Sequence, residues 1–250
     1  MAKIELNIED IKEELRQRDI LDIQKKFIYE RSTRMVVMTT LLSALLFTIV
    51  YGTIQNPFVF TFSKIGNRFS FGNRVLFIVW AAYTGFVILS SILALFRLEN
   101  YKRKRDYTYI LIAVIFLTFA SFAPSLEEYP FWTWVHIVTA GLFSVFITLG
   151  FYPFIIWVAR ENPRLRITVY IWLSIIWGGG FLWIFLLGNT GVFEIWFFST
   201  FIIFLLYLSL TLFEEKIVKT SVLLLRDEKN LNQGIEKYFI DLDKLEKKNK

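Results

Sequence analysis

Apolar residues along this chain arrive in six long blocks separated by polar connections, and within each block they run on rather than alternate. The blocks lie near Met35–Tyr51, Val75–Phe96, Tyr107–Ala123, Trp132–Ala159, Ile167–Leu187 and Val192–Phe213. A helix needs about 20 mainly apolar residues to cross roughly 30 Å of hydrocarbon, where no backbone amide can be left unpaired. The pattern predicts an all-α membrane protein, a bundle of six transmembrane helices. The first block follows the charged stretch Met1–Arg34 and is succeeded by five more, so it reads as a retained span and not as a cleaved signal.

Outside the blocks the periodicity changes. Ile8, Ile11 and Leu15, then Ile20, Ile23 and Phe27, recur among charges at spacings of three to five, the signature of an amphipathic helix. The tail is similar: "SVLLLRD" continues the sixth helix, Gly234 interrupts, and "IEKYFIDLDKLEKKNK" is a weaker amphipathic repeat. Three segments follow: 1–34, a helical end; 35–213, the transmembrane domain; 214–250, a helical tail. Pairing of the two ends, within one chain or between subunits of a homo-oligomer, would cover their apolar stripes.

The connection 52–74 is long for a compact bundle, and loops of that length tend to be folded or functional. It holds "TFSKIGNRFSFGNR", Thr61–Arg74, the most polar stretch between Met35 and Leu98. "FVFTFS" and "RFSFG" alternate around Gly66-Asn67, which favours a two-strand hairpin; an aromatic-rich interfacial helix is the alternative.

Charge orients the bundle. All but three of the 28 Lys and Arg lie before the first block, between the second and third, between the fourth and fifth, or in the tail. By the positive-inside rule both termini are cytoplasmic and the 52–74 connection faces out, in what the composition suggests is a prokaryotic plasma membrane. The formal charge of +6 therefore sits on the inner face. Lys102, Arg103, Lys104 and Arg105 are expected to set topology and contact anionic lipid, each cation contributing about 1 kcal/mol near such a surface. Nucleic acid is not an expected partner; membrane lipids are.

Candidate chemistry is sparse. With no cysteine and one histidine, thiol chemistry and multi-histidine metal sites drop out, and no nucleotide or cofactor motif is present. No cofactor and no catalytic residue is assigned. "WGGG", Trp177–Gly180, reads as close helix packing or a kink. What remains is polar groups near the outer ends of spans: His136, about one turn into the fourth, and Glu194, opening the sixth. Ionisable groups at such depth usually face the bundle interior and find partners. Glu194 is expected to pair with Lys64, Arg68 or His136, or to remain protonated because desolvation disfavours its charge. Ser63, Lys64, Asn67 and Arg68 would form a lid over a recess made by His136 and Glu194, accounting for the cations that escape the inward bias. The recess would accept a lipid headgroup or small polar ligand; a purely anchoring role, a small-solute or lipid transporter, and a lipid-modifying enzyme, with Ser63 as its sole nucleophile, are the competing readings.

"GVFEIWFFSTFIIFLLYLSLTLFEE", with Glu194 and Trp196 opening the last span, resembles the corresponding span of the Frag/DRAM/Sfk superfamily of six-span proteins, which includes the damage-regulated autophagy modulators. "HIVTAGLFSVFITLGFY" looks like the family's His-containing fourth span, and "FTFSKIGN" occupies the place of its Ser-Asp-x-Gly outer-loop motif, with Lys64 where the family has an acidic residue. Prokaryotic six-span families of unassigned function share the plan. The resemblance implies helical architecture, an outer polar cluster, and a role in lipid homeostasis, glycolipid-anchor processing or membrane stress, with no agreed enzymatic chemistry.

Orientation is testable directly. Cysteines introduced at Asn67 and Asn189 should react with an impermeant thiol reagent on intact cells, while those at Lys104, Asn162 and Lys250 should stay unlabelled. Labelling of Lys104 from outside would invert the topology.

Overall fold

In the computed structural model, residues 8–68, 70–126 and 128–248 are described, with side chains for 21–68, 70–126 and 128–222. The elements are α1 (Ile8–Gly52), α2 (Phe62–Arg68), α3 (Phe71–Leu98), α4 (Lys104–Phe122), α5 (Pro130–Glu161), α6 (Pro163–Leu173), a π-helical turn (Ser174–Gly178), α7 (Gly179–Leu187) and α8 (Gly191–Lys248). Six helical stretches are long and apolar enough to cross a membrane: Leu21–Gly52, Phe71–Leu98, Lys104–Phe122, Pro130–Glu161, Pro163–Leu187 and Gly191–Val222. At 1.5 Å per residue the shortest, 19 residues, reaches about 28 Å, barely the hydrocarbon thickness. The bundle surface agrees with that setting. Phe185, Ile167 and Phe181 are 87%, 73% and 67% exposed, and so much bare apolar surface belongs against lipid tails.

The chain divides into two compact units, residues up to Arg34 together with those from Thr211, and residues 35–210. In the first, Glu30 is buried and its Oε2 accepts a hydrogen bond from Thr220 Oγ1 at 3.4 Å, while Arg34 pairs with Glu214 at 2.5 Å. Ile23 and Phe27 are half-buried, in line with Glu30 at helical spacing. The side chains of Ile8, Ile11, Leu15 and Ile20, and those of the tail repeat, lie outside the described residues. The backbone of α8 continues through Gly234, where a break was expected; a glycine inside a helix costs only about 1 kcal/mol, too little to end a long one.

In residues 35–210, α4 packs along α5, α3 along α4, and α2 on α3. Hydroxyls within the spans are mostly satisfied by their own helices, as Thr118, Thr139, Thr148 and Thr200 donate to carbonyls four residues earlier. That solution needs no partner helix in lipid. Across helices, Trp80 Nε1 donates to Thr48 Oγ1 at 3.1 Å and the Ser43 and Tyr83 hydroxyls bond to each other. The π-helical turn and the glycines after it let this segment lie against α8: a Cβ on Gly179 would stand 2.6 Å from Trp196 Nε1. "WGGG" thus serves helix contact, and the wide turn absorbs the change in register.

The corner between α3 and α4 has a defined build. Asn100 takes a left-handed backbone, φ 53°; Tyr101 N donates to Phe96 O at 2.8 Å and Asn100 N to Arg97 O at 3.2 Å. This is a Schellman motif, completed by the Tyr101 and Phe96 rings 4.8 Å apart. It delivers the Tyr101 hydroxyl to Asp106 Oδ2 at 2.5 Å. Asp106 is fully buried in the first turn of α4, where the helix dipole favours negative charge. Burial, and then the bond to Asp106, push the Tyr101 hydroxyl above its ordinary value of 10.0.

Tyr101→Phe leaves the buried Asp106 carboxylate short of a donor and should cost about 1–3 kcal/mol of stability. The sign of the pH dependence follows. Above about pH 10 an unfolded tyrosine releases a proton that the folded Tyr101 keeps, so its stabilising contribution is complete below pH 10 and declines above it. Thermal melts in detergent should show the difference between Tyr101→Phe and the parent shrinking as pH rises past 10.

Candidate functional site

The connection after α1 is folded throughout its described length. Phe58 N donates to Asn56 Oδ1 at 3.0 Å and Phe60 N to Asn56 O at 3.0 Å, a side-chain-supported turn. Val192 N donates to Pro57 O at 3.1 Å, joining the turn to the start of α8. Thr61 then caps α2: its Oγ1 accepts from Lys64 N at 3.3 Å and shares a 3.1 Å bond with Ser63 Oγ. Here the expectation of a hairpin is corrected. Residues 62–68 are helical, and no strand occurs among the described residues. The apolar positions that matter are Phe62 and Ile65, three apart and both buried, so one helical face goes into the bundle where alternation would have exposed half of the set. Asn67 is not a turn residue; its Nδ2 donates to Ser63 O at 2.6 Å.

Phe62 is held from both sides. Its N–H donates to Glu194 Oε2 at 2.5 Å, and its carbonyl accepts from Tyr51 OH at 3.0 Å. Its ring, 1% exposed, meets Trp80 edge-on at 4.7 Å and Tyr51 edge-on at 5.3 Å. The fit requires Gly52, where a Cβ would come within 2.6 Å of the Phe62 ring and 2.5 Å of Ile195. An amide opening a helix has no intrahelical acceptor. Glu194, in the first turn of α8, supplies one, and the α8 dipole favours its charge.

The C-terminal end of α4 has the complementary need for donors. His136 Nδ1 lies 2.8 Å from Ala120 O, and Arg74 Nη2 donates to Phe122 O. Arg74 Nη1 reaches Asn67 Oδ1 in the same stroke, fastening α2 to α4 through α3. Because a carbonyl only accepts, Nδ1 carries the histidine proton, and Nε2 of the neutral ring keeps its lone pair. Of the three cations that escape the inward bias, Arg74 has the structural assignment. Lys64 and Arg68 are exposed on α2. Among the described residues no salt bridge joins Glu194 to Lys64, Arg68 or His136.

His136 and Glu194 nonetheless meet at one feature, a cavity of about 110 Å³. Its walls are Phe62, Phe77, Trp80, Phe143, Phe197 and Phe198, with Ala81, Leu117, Ala120, Ala140, Ser144 and Phe193 completing them. The rings stand as a box: Trp80 and Phe198 are perpendicular at 4.9 Å, and Phe143 and Phe198 parallel at 5.8 Å. Ser63, Lys64, Asn67 and Arg68 are not among the lining residues; α2 closes the cavity with Phe62 alone. Among the described residues no group of three His, Asp or Glu side chains could hold a metal ion. Lys102, Arg103, Lys104 and Arg105 are all exposed, with Arg105 3.6 Å from Asp106 and 6.0 Å from the Tyr109 ring.

Compared with family models, curated proteins and solved structures, the chain matches none. The site must therefore be read from its own geometry. Sequence reasoning missed Phe62, Tyr51 and Arg74. A Thr followed by apolar residues three apart was the available hint for a capped helix at 62; nothing local marked Tyr51.

Glu194→Leu strands the Phe62 amide and should lower stability in detergent by about 1–3 kcal/mol, whereas Glu194→Gln keeps an acceptor and should melt close to the parent. Equal melting of Leu and Gln variants would show that the bond to Phe62 carries no weight.

Proposed function

We propose that this polytopic membrane protein is a non-catalytic lipid-interacting protein that holds part of an amphiphile in the Glu194–His136 cavity, at the end of the bundle covered by α2. The distribution of Lys and Arg supports reading that end as the outer face. A single observation carries the reading: an aromatic box that contains two ionisable side chains, in a chain whose surface is built for lipid. Apolar walls with a few convergent polar groups are the usual make-up of a ligand site. The basic corner at Lys102–Arg105 would meet anionic headgroups on the opposite face.

An acid–base enzyme has weaker support. His136 and Glu194 are each engaged by a backbone group and are not bonded to each other, so no base is oriented by the carboxylate. Ser63 is bound to Thr61 and does not line the cavity; Ser144 lines it with its hydroxyl turned to Ala140 O at 3.3 Å.

Ala140→Phe places a ring in the cavity, one helical turn from His136, while leaving both polar side chains in place. The variant should elute and melt like the parent while retaining severalfold less co-purifying lipid by native mass spectrometry. Undiminished lipid would sink the reading.

A further inference from the structure

The cavity's two polar side chains leave one atom each without a partner. Glu194 uses Oε2 for the Phe62 amide and His136 uses Nδ1 for Ala120 O, and among the described residues no hydrogen bond engages Glu194 Oε1 or His136 Nε2. His136 is only 9% exposed, and both it and Glu194 line the cavity. Both free atoms are acceptors when the ring is neutral and the carboxyl ionised. An occupant must therefore bring donors. A phosphate or carboxylate would face a carboxylate with like charge. A hydroxyl could donate to one acceptor but leaves the carboxylate without a counter-charge in an apolar box. Lys64 and Arg68 are exposed on α2 and outside the lining.

We propose that the cavity recognises a primary ammonium group, carried either by an aminolipid headgroup or by a small free amine. Its N–H donors match Glu194 Oε1 and His136 Nε2, its charge answers the carboxylate, and the aromatic walls add cation–π attraction from rings set at right angles. Size supports a small head. The cavity, about 110 Å³, is smaller than the roughly 150 Å³ that accommodates benzene, so an ethanolamine-sized group fits where a trimethylammonium head is bulky and donates nothing.

This inference rests on the cavity being the ligand site, and the experiment separates the two. The full-length protein is placed in nanodiscs containing equal phosphatidylethanolamine, phosphatidylcholine and phosphatidylglycerol, and retained lipid is read by native mass spectrometry. Phosphatidylethanolamine should be retained about tenfold over either competitor, the worth of one charge-assisted hydrogen bond. Glu194→Gln should reduce the preference to near unity, and Ala140→Phe should abolish retention of all three. Ethanolamine added in solution distinguishes the sources: displacement of the lipid identifies the free amine as sufficient, and no displacement identifies the lipid headgroup. If lipid is retained without headgroup preference but is lost in Ala140→Phe, the cavity binds lipid and the ammonium assignment fails. If retention ignores Ala140→Phe, the underlying ligand site fails with it. The headgroup comparison in the unmodified protein decides the matter even where Glu194→Gln does not fold.

Discussion

Both hydrogen-bonding groups of one peptide position, Phe62, are met by side chains from helices on opposite sides of it. The amide goes to Glu194 of α8 and the carbonyl to Tyr51 of α1. A short helix tucked over an apolar bundle carries orphan amides at its start that water cannot reach. Without Glu194 and Tyr51, α2 would have to lift Phe62 into solvent and surrender its contacts with Trp80 and Phe198. The position of α2, and with it the roof of the cavity, depends on this pair of bonds.

The end of α4 presents the mirror-image problem, carbonyls lacking donors, and is solved by Arg74 and His136. Five helices are thereby tied around α2 by four side chains, each spending part of its hydrogen-bonding capacity on backbone. What each has left over is the chemically interesting part. Arg74 spends both of its reaching nitrogens, on Asn67 and Phe122. Glu194 and His136 spend one atom each and keep one. Anchoring and the proposed ligand recognition would thus use different atoms of the same residues, so the two readings of the polar cluster do not compete.

The six spans were legible because length and apolar content are local properties, and the solvent punishes any polar backbone left exposed between them. His136 and Glu194 were legible as a pair for a related reason: an ionisable group within a span is costly enough to stand out among residues that are otherwise Phe, Ile, Leu and Val. The fold of 52–74 was not legible. Phe58, Phe60 and Phe62 satisfy a strand alternation while Phe62 and Ile65 share a helical face, and what decided between them was the burial of Phe62 and Ile65 in the bundle, which no window of the sequence contains.

The partners of the polar groups lay furthest out of reach. Opposite charges suggested that Glu194 would meet Lys64, Arg68 or His136, but the acceptor-starved amide of Phe62, 132 positions away in the chain, was the nearer demand. A backbone amide has no letter in a sequence, and whether it needs a side chain depends on where its helix begins and what covers it. Element type and membrane burial follow from composition summed over a score of residues. The pairing of Glu194 with Phe62, of His136 with Ala120 and of Arg74 with Phe122 follows from which helix ends the packing leaves unsatisfied, and that is settled when the bundle closes.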